Sequence, residues 1–231
     1  QHLHVLLNNL IPLLHRQLVD AVVFVVEQAQ PTIFNRGSLF NIGFLESRKV
    51  DHFDCFIFHD VDMIPTHDGC MYTCGDNPRH FISSINFKGL VSVWSLPYER
   101  YFGGVVGMAR EQYQRINGHS NLFFGWGGED DDLYLRCQLK GYKHVRYPVV
   151  IGQYYSFKHD RDKGNEEFPD RFKLFRTTQI RQDVDGLNSV AYRLEKLEFR
   201  PLYTWIYVSV NMGQIVRVIG SRRSPVSQTT Q

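Results

Sequence analysis

The chain has 231 residues, of which 43% are hydrophobic, and its formal net charge at pH 7 is +2. This length fits one large or two small domains with ample material for a core, and we predict a single domain. The charge is too small for a dedicated nucleic-acid-binding surface, since lysines and arginines are scattered except at Arg217 and Arg222-Arg223.

No apolar stretch reaches the roughly 20 residues that a membrane-spanning helix requires. Residues 22–26 form only a short apolar run, and residues 205–220 are interrupted by polar side chains. No secretory signal pattern is visible, and the chain starts at Gln1 inside an amphipathic pattern. We therefore expect that an upstream strand and any membrane anchor have been cut away.

The first part of the chain alternates between helical and extended patterns. Residues 3–18 have the periodicity of a helix, and the β-branched residues 22–27 predict a strand. Asn35 is a suitable N-cap for a helix that continues to Arg48. A second strand is predicted over residues 53–58.

The rest of the chain continues this alternation. The further predicted elements are helices at 108–117 and 129–140, strands at 144–151 and 202–210, a charged loop at 158–169 and a disordered tail at 212–231. Alternating helices and strands predict an α/β domain over residues 1–211.

An acidic pair follows the second predicted strand. The apolar run 55–58 ends in His59-Asp60-Val61-Asp62, which places two carboxylates at the carboxyl end of a strand. Open α/β sheets bind ligands at that edge, and the side chains at alternate positions share one side of an extended backbone. The pair therefore indicates a divalent metal that holds a phosphate-bearing donor, although an isolated Asp-x-Asp is also common in polar loops.

A second acidic run lies at Gly125-Trp126-Gly127-Gly128-Glu129-Asp130-Asp131-Asp132. Carboxylates in the first turn of a helix suit the positive end of its dipole, but this explains one or two acids and not four. The glycines give Trp126 no fixed packing platform, so we interpret the loop as a lid that covers a donor and excludes water. One carboxylate beneath the lid would act as a base.

The four cysteines are Cys55, Cys70, Cys74 and Cys137, and they allow free thiols or any of three full disulfide pairings. A zinc site made of His59, His67, Cys70 and Cys74 is an alternative, but its spacing matches no standard finger or ribbon.

Several motifs occur in an order that resembles the β-1,4-galactosyltransferase family, glycosyltransferase family 7. They are Phe34-Asn35-Arg36, Phe58-His59-Asp60-Val61-Asp62, Tyr101-Phe102-Gly103-Gly104, Ile116-Asn117-Gly118, the run from Gly125 to Asp132, and Asp185-Gly186-Leu187-Asn188. The resemblance implies a GT-A nucleotide-sugar-binding fold, a single mixed twisted sheet flanked by helices, in an inverting enzyme of the Golgi lumen whose full-length form is a type II membrane protein. A preceding strand of the family has no counterpart here, so the resemblance implies a truncated catalytic domain.

The same resemblance implies roles for individual residues. Asp62 and His159 would hold Mn²⁺, and Ser156, at a position where the family often has methionine, could add a harder ligand and make Mg²⁺ possible. Asp130 matches the general base. The implied donor-binding residues are Phe34, Asn35, Arg36, Asp60, Val61, Asp62, Tyr101, Gly104, Trp126, His159 and Arg161. The implied acceptor-binding residues are Tyr98, Gly128, Glu129, Asp130, Asp131, Arg171 and Phe172. Cys55 and Cys74 stand at the positions of a family disulfide.

The resulting expectation is metal-dependent transfer of galactose from UDP-galactose to the 4-hydroxyl of a terminal N-acetylglucosamine in a glycan, with inversion to a β-1,4 linkage. The nearest alternative is a β-1,4-N-acetylgalactosaminyltransferase of the same family, against which the bulky Tyr101 argues. A metal-dependent phosphohydrolase would need more ligands near Asp62. A non-catalytic carbohydrate-binding module is the most distant alternative.

Overall fold

The computed structural model describes residues 2–86, 94–157 and 164–222. The helices are α1 (His2–Arg16), α2 (Arg36–Val50), α3 (Arg110–Arg115), α4 (Glu129–Leu139), α5 (Arg171–Phe175), α6 (Thr178–Arg181) and α7 (Met212–Arg222). The strands are β1 (Phe24–Gln28), β2 (Cys55–His59), β3 (Met63–Pro65), β4 (Arg79–His80), β5 (Ser84–Asn86), β6 (Val105–Ala109), β7 (Val145–Arg146), β8 (Gln153–Ser156), β9 (Tyr192–Phe199) and β10 (Thr204–Val210).

The strands form three small mixed sheets, so the expectation of one continuous sheet is wrong. Their orders are β1-β10-β9, β2-β6-β4-β7 and β3-β8-β5. Within the described ranges, β1 pairs only with β10 and β2 pairs only with β6. Each is thus an edge strand, and a cleft lies between them where a continuous sheet would need a hydrogen-bonded neighbour.

The long, strongly patterned elements agree with the sequence. The helices predicted at 3–18 and 129–140 are α1 and α4, and Asn35 does cap α2, since its side chain accepts from the Ser38 amide over 2.8 Å. The strands predicted at 22–27, 53–58 and 202–210 are β1, β2 and β10.

Two predicted elements are wrong in part. The helix expected at 108–117 begins only at Arg110, because Met108 is buried in β6 between β2 and β4. The strand expected at 144–151 is limited to the two residues of β7, because the chain turns after Pro148, whose carbonyl accepts from the amides of Ile151 and Gly152. Of the charged loop predicted at 158–169, residues 158–163 lie outside the described ranges.

The tail expected to be disordered from residue 212 instead begins with helix α7. Ile215 and Ile219 lie one turn apart on this helix and are buried in the same core cluster as Val208 and Val210 of β10. Burial of these apolar side chains stabilises a helix that the polar residues around them do not predict. Residues 223–231 lie outside the described part of the chain. Within the described residues, no helix is long and apolar enough to cross a membrane.

A buried group of four charges anchors α4. Asp132 accepts from Arg136 Nε over 2.6 Å and from Arg181 Nη2 over 2.7 Å, and both arginines also pair with Asp185. All four side chains are fully buried. Removal of one member would leave an uncompensated buried charge, so the group holds α4 to α6 and to the Asp185 loop.

Candidate functional site

A cleft of roughly 1030 Å³ brings the two acidic clusters together. The predicted donor-site residues that line it are Phe34, Arg36, Asp60, Val61, Asp62, Tyr101, Gly104 and Trp126. The predicted acceptor-site residues that line it are Tyr98, Gly128, Glu129, Asp130, Asp131, Arg171 and Phe172. His159 and Arg161 lie outside the described residues.

Asn35 is the predicted donor-site residue whose side chain is committed elsewhere. It is fully buried, caps α2 through Ser38, and donates from Nδ2 to the Asn121 carbonyl over 2.8 Å. These bonds place Asn35 beneath the cleft, where it fixes the start of α2 and therefore the position of the next residue, Arg36.

Arg36 connects the two acidic clusters. Its Nε donates to Asp60 Oδ1 over 2.7 Å, and its Nη1 donates to Glu129 Oε1 over 3.0 Å. Burial works against the charge of this guanidinium, but Asp60, Glu129 and Asp130 together hold the pKa of Arg36 above its usual value. A permanent cation thus offsets the repulsion between carboxylates that come from β2 and α4.

The loop from Asp60 to Asp62 joins β2 to β3 at the edge of the cleft. The Ser156 hydroxyl lies 3.3 Å from Asp62 Oδ2, because Ser156 at the end of β8 pairs with Met63 at the start of β3. A carboxylate and a hydroxyl are hard oxygen ligands that suit Mn²⁺ or Mg²⁺. The residues present therefore fit a divalent cation at this point.

His59 ties the main chain of this loop to the core. Because the Asp60 carbonyl only accepts, His59 Nδ1 donates to it over 2.7 Å, and Nε2 accepts from the Tyr72 hydroxyl over 2.9 Å. The Tyr72 oxygen in turn lies 3.2 Å from the Tyr154 hydroxyl, which lies 3.3 Å from Cys70 Sγ. Burial lowers the pKa of His59 to about 4, so this chain of hydrogen bonds contains a neutral imidazole near pH 7.

The loop before α4 depends on three glycines. Gly125, Gly127 and Gly128 have φ angles of 98°, 101° and 97°, a region that other residues rarely adopt. Trp126 between them is 48% exposed, and its main chain bonds to the Glu166 carbonyl and to the Phe168 amide. The tryptophan therefore lies at the cleft surface on an anchored backbone; its motion as a lid remains a prediction.

The first three acids of α4 face the cleft. Burial raises the pKa of Glu129 to about 7, and the neighbouring charge of Asp130 adds to this effect against the opposing charge of Arg36. Burial also raises the pKa of Asp130 above its usual value, and it raises that of Asp131 to about 6 although the Tyr98 hydroxyl donates to Asp131 Oδ1 over 2.9 Å. Protons are thus held in this cluster at a higher pH than exposed carboxylates hold them.

The α-carbon of Gly103 is the point where Asp130 and Tyr101 converge. A methyl group placed there would overlap Asp130 Oδ2 and would lie 2.9 Å from the Tyr101 hydroxyl oxygen. The other oxygen of Asp130, Oδ1, accepts from the Asp131 amide over 2.9 Å. One carboxylate oxygen is therefore fixed by the helix, while the other projects into a narrow space beside Tyr101.

Arg171 and Phe172 line the cleft at the start of α5, where a methyl group on Gly128 would lie 3.1 Å from Arg171 Cβ. The Arg171 guanidinium donates to the Phe168 carbonyl over 3.0 Å and pairs with Glu167. The ring of Phe172 is 62% exposed and lies under the Arg171 guanidinium, 4.7 Å from it. An exposed aromatic face beside a cleft is suited to packing against an apolar group of a sugar.

A disulfide joins Cys55 and Cys74, as the family resemblance implied, and Cys70 and Cys137 are buried thiols. The alternative zinc site is wrong, because the sulfur of Cys74 is bonded to Cys55 and His59 is hydrogen-bonded to Tyr72. No group of three or more histidine, cysteine, aspartate or glutamate side chains that could hold a metal occurs among the described residues.

Comparisons with known proteins agree with this architecture. The structure is similar to the catalytic domain of Drosophila β1,4-galactosyltransferase 7 in complex with xylobiose, with a TM-score of 0.75 and 25% sequence identity over 91% of this chain and 89% of that chain. The same similarity is found to a mutant of that protein in complex with manganese, UDP-Gal and xylobiose. The fold is that of a galactosyltransferase catalytic domain.

Sequence comparisons give the family. A profile described as the N-terminal region of glycosyl transferase group 7 matches residues 1–75, and one described as the N-terminal domain of galactosyltransferase matches residues 88–160. The chain is 46% identical over 213 residues to β-1,4-galactosyltransferase 4 of Cricetulus griseus and 45% identical over 214 residues to β-1,4-galactosyltransferase 2 of Mus musculus. The chain belongs to the β-1,4-galactosyltransferase family. It covers 61% and 56% of the lengths of these two relatives.

Proposed function

We propose that the chain catalyses metal-dependent transfer of galactose from UDP-galactose to the 4-hydroxyl of a terminal N-acetylglucosamine, with inversion to a β-1,4 linkage. The observation that carries this proposal is the convergence of Asp130, Tyr101 and Gly103 in the same cleft as Arg36 and Asp60. In this proposal Asp130 is a base beside the space for the donor sugar. The Arg36 guanidinium is a positive charge beside the space for the diphosphate. Family membership and the manganese and UDP-Gal complex of the Drosophila protein support it.

In this proposal the fold is of the GT-A type, and the donor lies along the loop from Asp60 to Asp62. Asp62, with His159 and the hydroxyl of Ser156, would hold Mn²⁺ or Mg²⁺. When bound, such a cation neutralises charge on the departing diphosphate. Arg36 fixes Asp60 and Glu129 at the two ends of the donor space.

Asp130 is the proposed general base. Its Oδ1 is held by the Asp131 amide, so that Oδ2 faces the space beside Gly103 where an acceptor hydroxyl would enter. There it takes the hydroxyl proton while the hydroxyl oxygen attacks the anomeric carbon from the face opposite the UDP. The bond to UDP breaks in the same displacement, which turns an α-linked donor into a β-linked product.

The acceptor sugar would lie between α4 and α5. Glu129 Oε2 is buried and has no hydrogen-bond partner among the described residues, so it is placed to accept from a sugar hydroxyl. Tyr98 and Asp131 border the same space, and the exposed ring of Phe172 offers a surface for the methyl of an N-acetyl group. Trp126 would limit the access of water, which otherwise competes with the acceptor.

We also propose that the protein acts in the Golgi lumen, held by a membrane anchor upstream of this sequence. The Cys55–Cys74 disulfide supports an oxidising compartment. The partners are then UDP-galactose and glycans that end in N-acetylglucosamine.

Product analysis tests this function. The protein is incubated with Mn²⁺ and UDP-galactose or UDP-N-acetylgalactosamine, with and without an N-acetylglucosamine acceptor, and the linkage of any product is determined by NMR. We expect acceptor-dependent galactosyl transfer with a β-1,4 linkage that Asp130→Asn lowers by roughly 10²–10⁴-fold in kcat. Acceptor-independent release of UDP as the main reaction would indicate a hydrolase, binding without turnover would indicate a carbohydrate-binding module, and a preference for the N-acetylated donor would indicate the alternative transferase.

A further inference from the structure

Three main-chain carbonyls beside the donor space are held by two side chains. Arg146 Nη1 donates to the Glu99 carbonyl over 3.0 Å, Arg146 Nη2 donates to the Tyr101 carbonyl over 2.5 Å, and His80 Nε2 donates to the Gly103 carbonyl over 2.8 Å. Glu99 lies in a turn that the Tyr101 amide closes by donating to the Tyr98 carbonyl over 3.1 Å. Residues 101–103 belong to no strand, so these bonds take the place of a sheet ladder.

The two side chains also bond to each other. Arg146 Nε donates to His80 Nδ1 over 2.9 Å, and the two residues are direct partners in the parallel pairing of β4 with β7. We call Arg146 and His80 the carbonyl clamp. Because partners in a ladder project from the same face, the sheet delivers both side chains to the segment from Glu99 to Gly103.

The hydrogen bonds define the tautomer of His80. Arg146 Nε can only donate, so His80 Nδ1 must accept, and the Gly103 carbonyl can only accept, so His80 Nε2 must carry the proton. A neutral imidazole with its proton on Nε2 satisfies both partners. His80 is fully buried, and burial together with the charge of Arg146 lowers its pKa well below the usual value, in agreement with this assignment.

The clamp acts on the segment that sets the distance between donor pocket and base. The Tyr101 ring packs edge-on against His80 with 5.4 Å between ring centroids, and the α-carbon of Gly103 is the point where Tyr101 and Asp130 converge. A main-chain shift at this segment would move Tyr101 and the approach to Asp130 together. Misplacement by about 1 Å can lower a rate by roughly 10²-fold.

We propose that Arg146 and His80 are positioning residues that fix the main chain of residues 99–103 and thereby set the catalytic rate and the donor selectivity at Tyr101. This inference rests on the proposed galactosyl transfer for its kinetic part. Its structural part, the ordering of residues 98–104, is independent of any activity.

The experiment compares Arg146→Lys, His80→Phe and His80→Gln with the wild type. Lysine has one ammonium group and cannot reach two carbonyls and an imidazole together, phenylalanine keeps the ring without its nitrogens, and glutamine keeps a donor near the position of Nε2. Arg115→Lys is the matched control, since Arg115 is exposed on α3 and its guanidinium lies over the Tyr142 ring at 5.3 Å.

Hydrogen–deuterium exchange of the free protein is the first measurement. We expect faster exchange confined to peptides that cover residues 98–104 in Arg146→Lys and His80→Phe, and wild-type exchange in Arg115→Lys. Unchanged exchange of this segment in Arg146→Lys would overturn the proposal, whether or not His80→Phe folds and whether or not the wild type transfers galactose.

Kinetics are the second measurement. We expect Arg146→Lys to lower kcat for galactosyl transfer by roughly 10-fold or more and to raise the relative use of UDP-N-acetylgalactosamine, while the affinity for UDP with Mn²⁺ stays within about 2-fold. His80→Gln should recover part of the activity lost in His80→Phe. A parallel loss of UDP affinity, thermal stability and rate would indicate a general structural role and contradict the proposal, whereas a wild type without transfer would contradict only the proposed function.

Discussion

The Nε of Arg36 donates to Asp60 Oδ1 over 2.7 Å, and this bond joins the first residue of α2 to the acidic loop after β2. The same guanidinium reaches Glu129 at the start of α4 over 3.0 Å. Two acidic clusters that lie about seventy residues apart in the sequence therefore share one cation. Their separation across the cleft is set by the length of an arginine side chain.

Substitution of Arg36 by lysine should weaken donor binding. A lysine keeps the positive charge but cannot make both bonds in the fixed geometry of a guanidinium, so Asp60 and Glu129 lose their common partner. We expect the dissociation constant for UDP-galactose with Mn²⁺ to rise by roughly 10-fold or more, on the scale of a lost charged hydrogen bond. Isothermal titration measures this value. Arg48→Lys, an exposed position on the same helix over the Phe44 ring, is the control and should bind as the wild type does.

Gly103→Ala should reduce turnover far more than it reduces stability. The added methyl would overlap Asp130 Oδ2, so the carboxylate must leave the space where an acceptor hydroxyl enters. We expect kcat to fall by roughly 10²-fold or more, because the base is misplaced while the helix that carries it is retained. Steady-state kinetics and thermal melting test this together. Gly75→Ala is the matched control, since a methyl group there would meet Arg79 Nη2 at an ordinary contact distance of 3.5 Å. Equal losses of kcat in Gly103→Ala and Gly75→Ala would contradict our placement of Asp130.

The sequence predicted the parts of this site that depend on local pattern. Asp60 and Asp62 follow a short apolar strand, and the acids of α4 follow three glycines with positive φ angles. Both signals lie within a few residues, and both acidic clusters do line one cleft.

The sequence could not separate the acids that face the cleft from the one that faces the core. Asp132 is drawn inward by Arg136 on its own helix and by Arg181, which lies 49 residues away in the chain. The pairing of His80 with Arg146 spans 66 residues and rests on two-residue strands, which are too short to show any periodicity. Such contacts are set by tertiary packing and leave no local signal.

The pH dependence of kcat/KM should respond to Asp60. A general base acts when deprotonated, so the rate falls as pH drops through the pKa of Asp130, which burial raises above its usual value and to which the charge of Asp60 adds a further rise. Asp60→Asn removes this negative charge and should therefore move the acidic limb of the profile to lower pH. The position of the limb is the relevant measurement, because its height also reflects substrate binding. A limb that stays in place or moves to higher pH would exclude electrostatic coupling of this sign.

Asp62→Asn should abolish the effect of Mn²⁺ on UDP binding. The amide keeps the shape of the carboxylate but loses the charge that a divalent cation requires, and the Ser156 hydroxyl 3.3 Å away is a neutral ligand that cannot replace it. UDP affinity is measured with and without Mn²⁺ by titration calorimetry. Asp183→Asn, an exposed carboxylate paired with Lys140, is the control. Persistence of Mn²⁺-dependent binding in Asp62→Asn would assign the cation to other residues.

Tyr101→Leu should broaden donor use toward UDP-N-acetylgalactosamine. The Tyr101 ring is packed between His80 and Tyr98, with 5.4 Å and 5.6 Å between ring centroids. Its hydroxyl lies over Gly103. The ring therefore fills the space that a bulky group on the donor sugar would need. Leucine has less volume and relieves the steric overlap, whereas Tyr101→Phe removes only the hydroxyl and keeps the ring. If the ring excludes the N-acetyl group, Tyr101→Leu should shift the ratio of kcat/KM values toward UDP-N-acetylgalactosamine by about 10-fold or more, equal to about 1.4 kcal/mol. Tyr101→Phe should shift this ratio much less. Both donors are measured against one N-acetylglucosamine acceptor. An equal shift in the two variants would assign donor selectivity to a hydrogen bond of the hydroxyl, and a wild type that already prefers the N-acetylated donor would remove the steric argument for a galactosyltransferase.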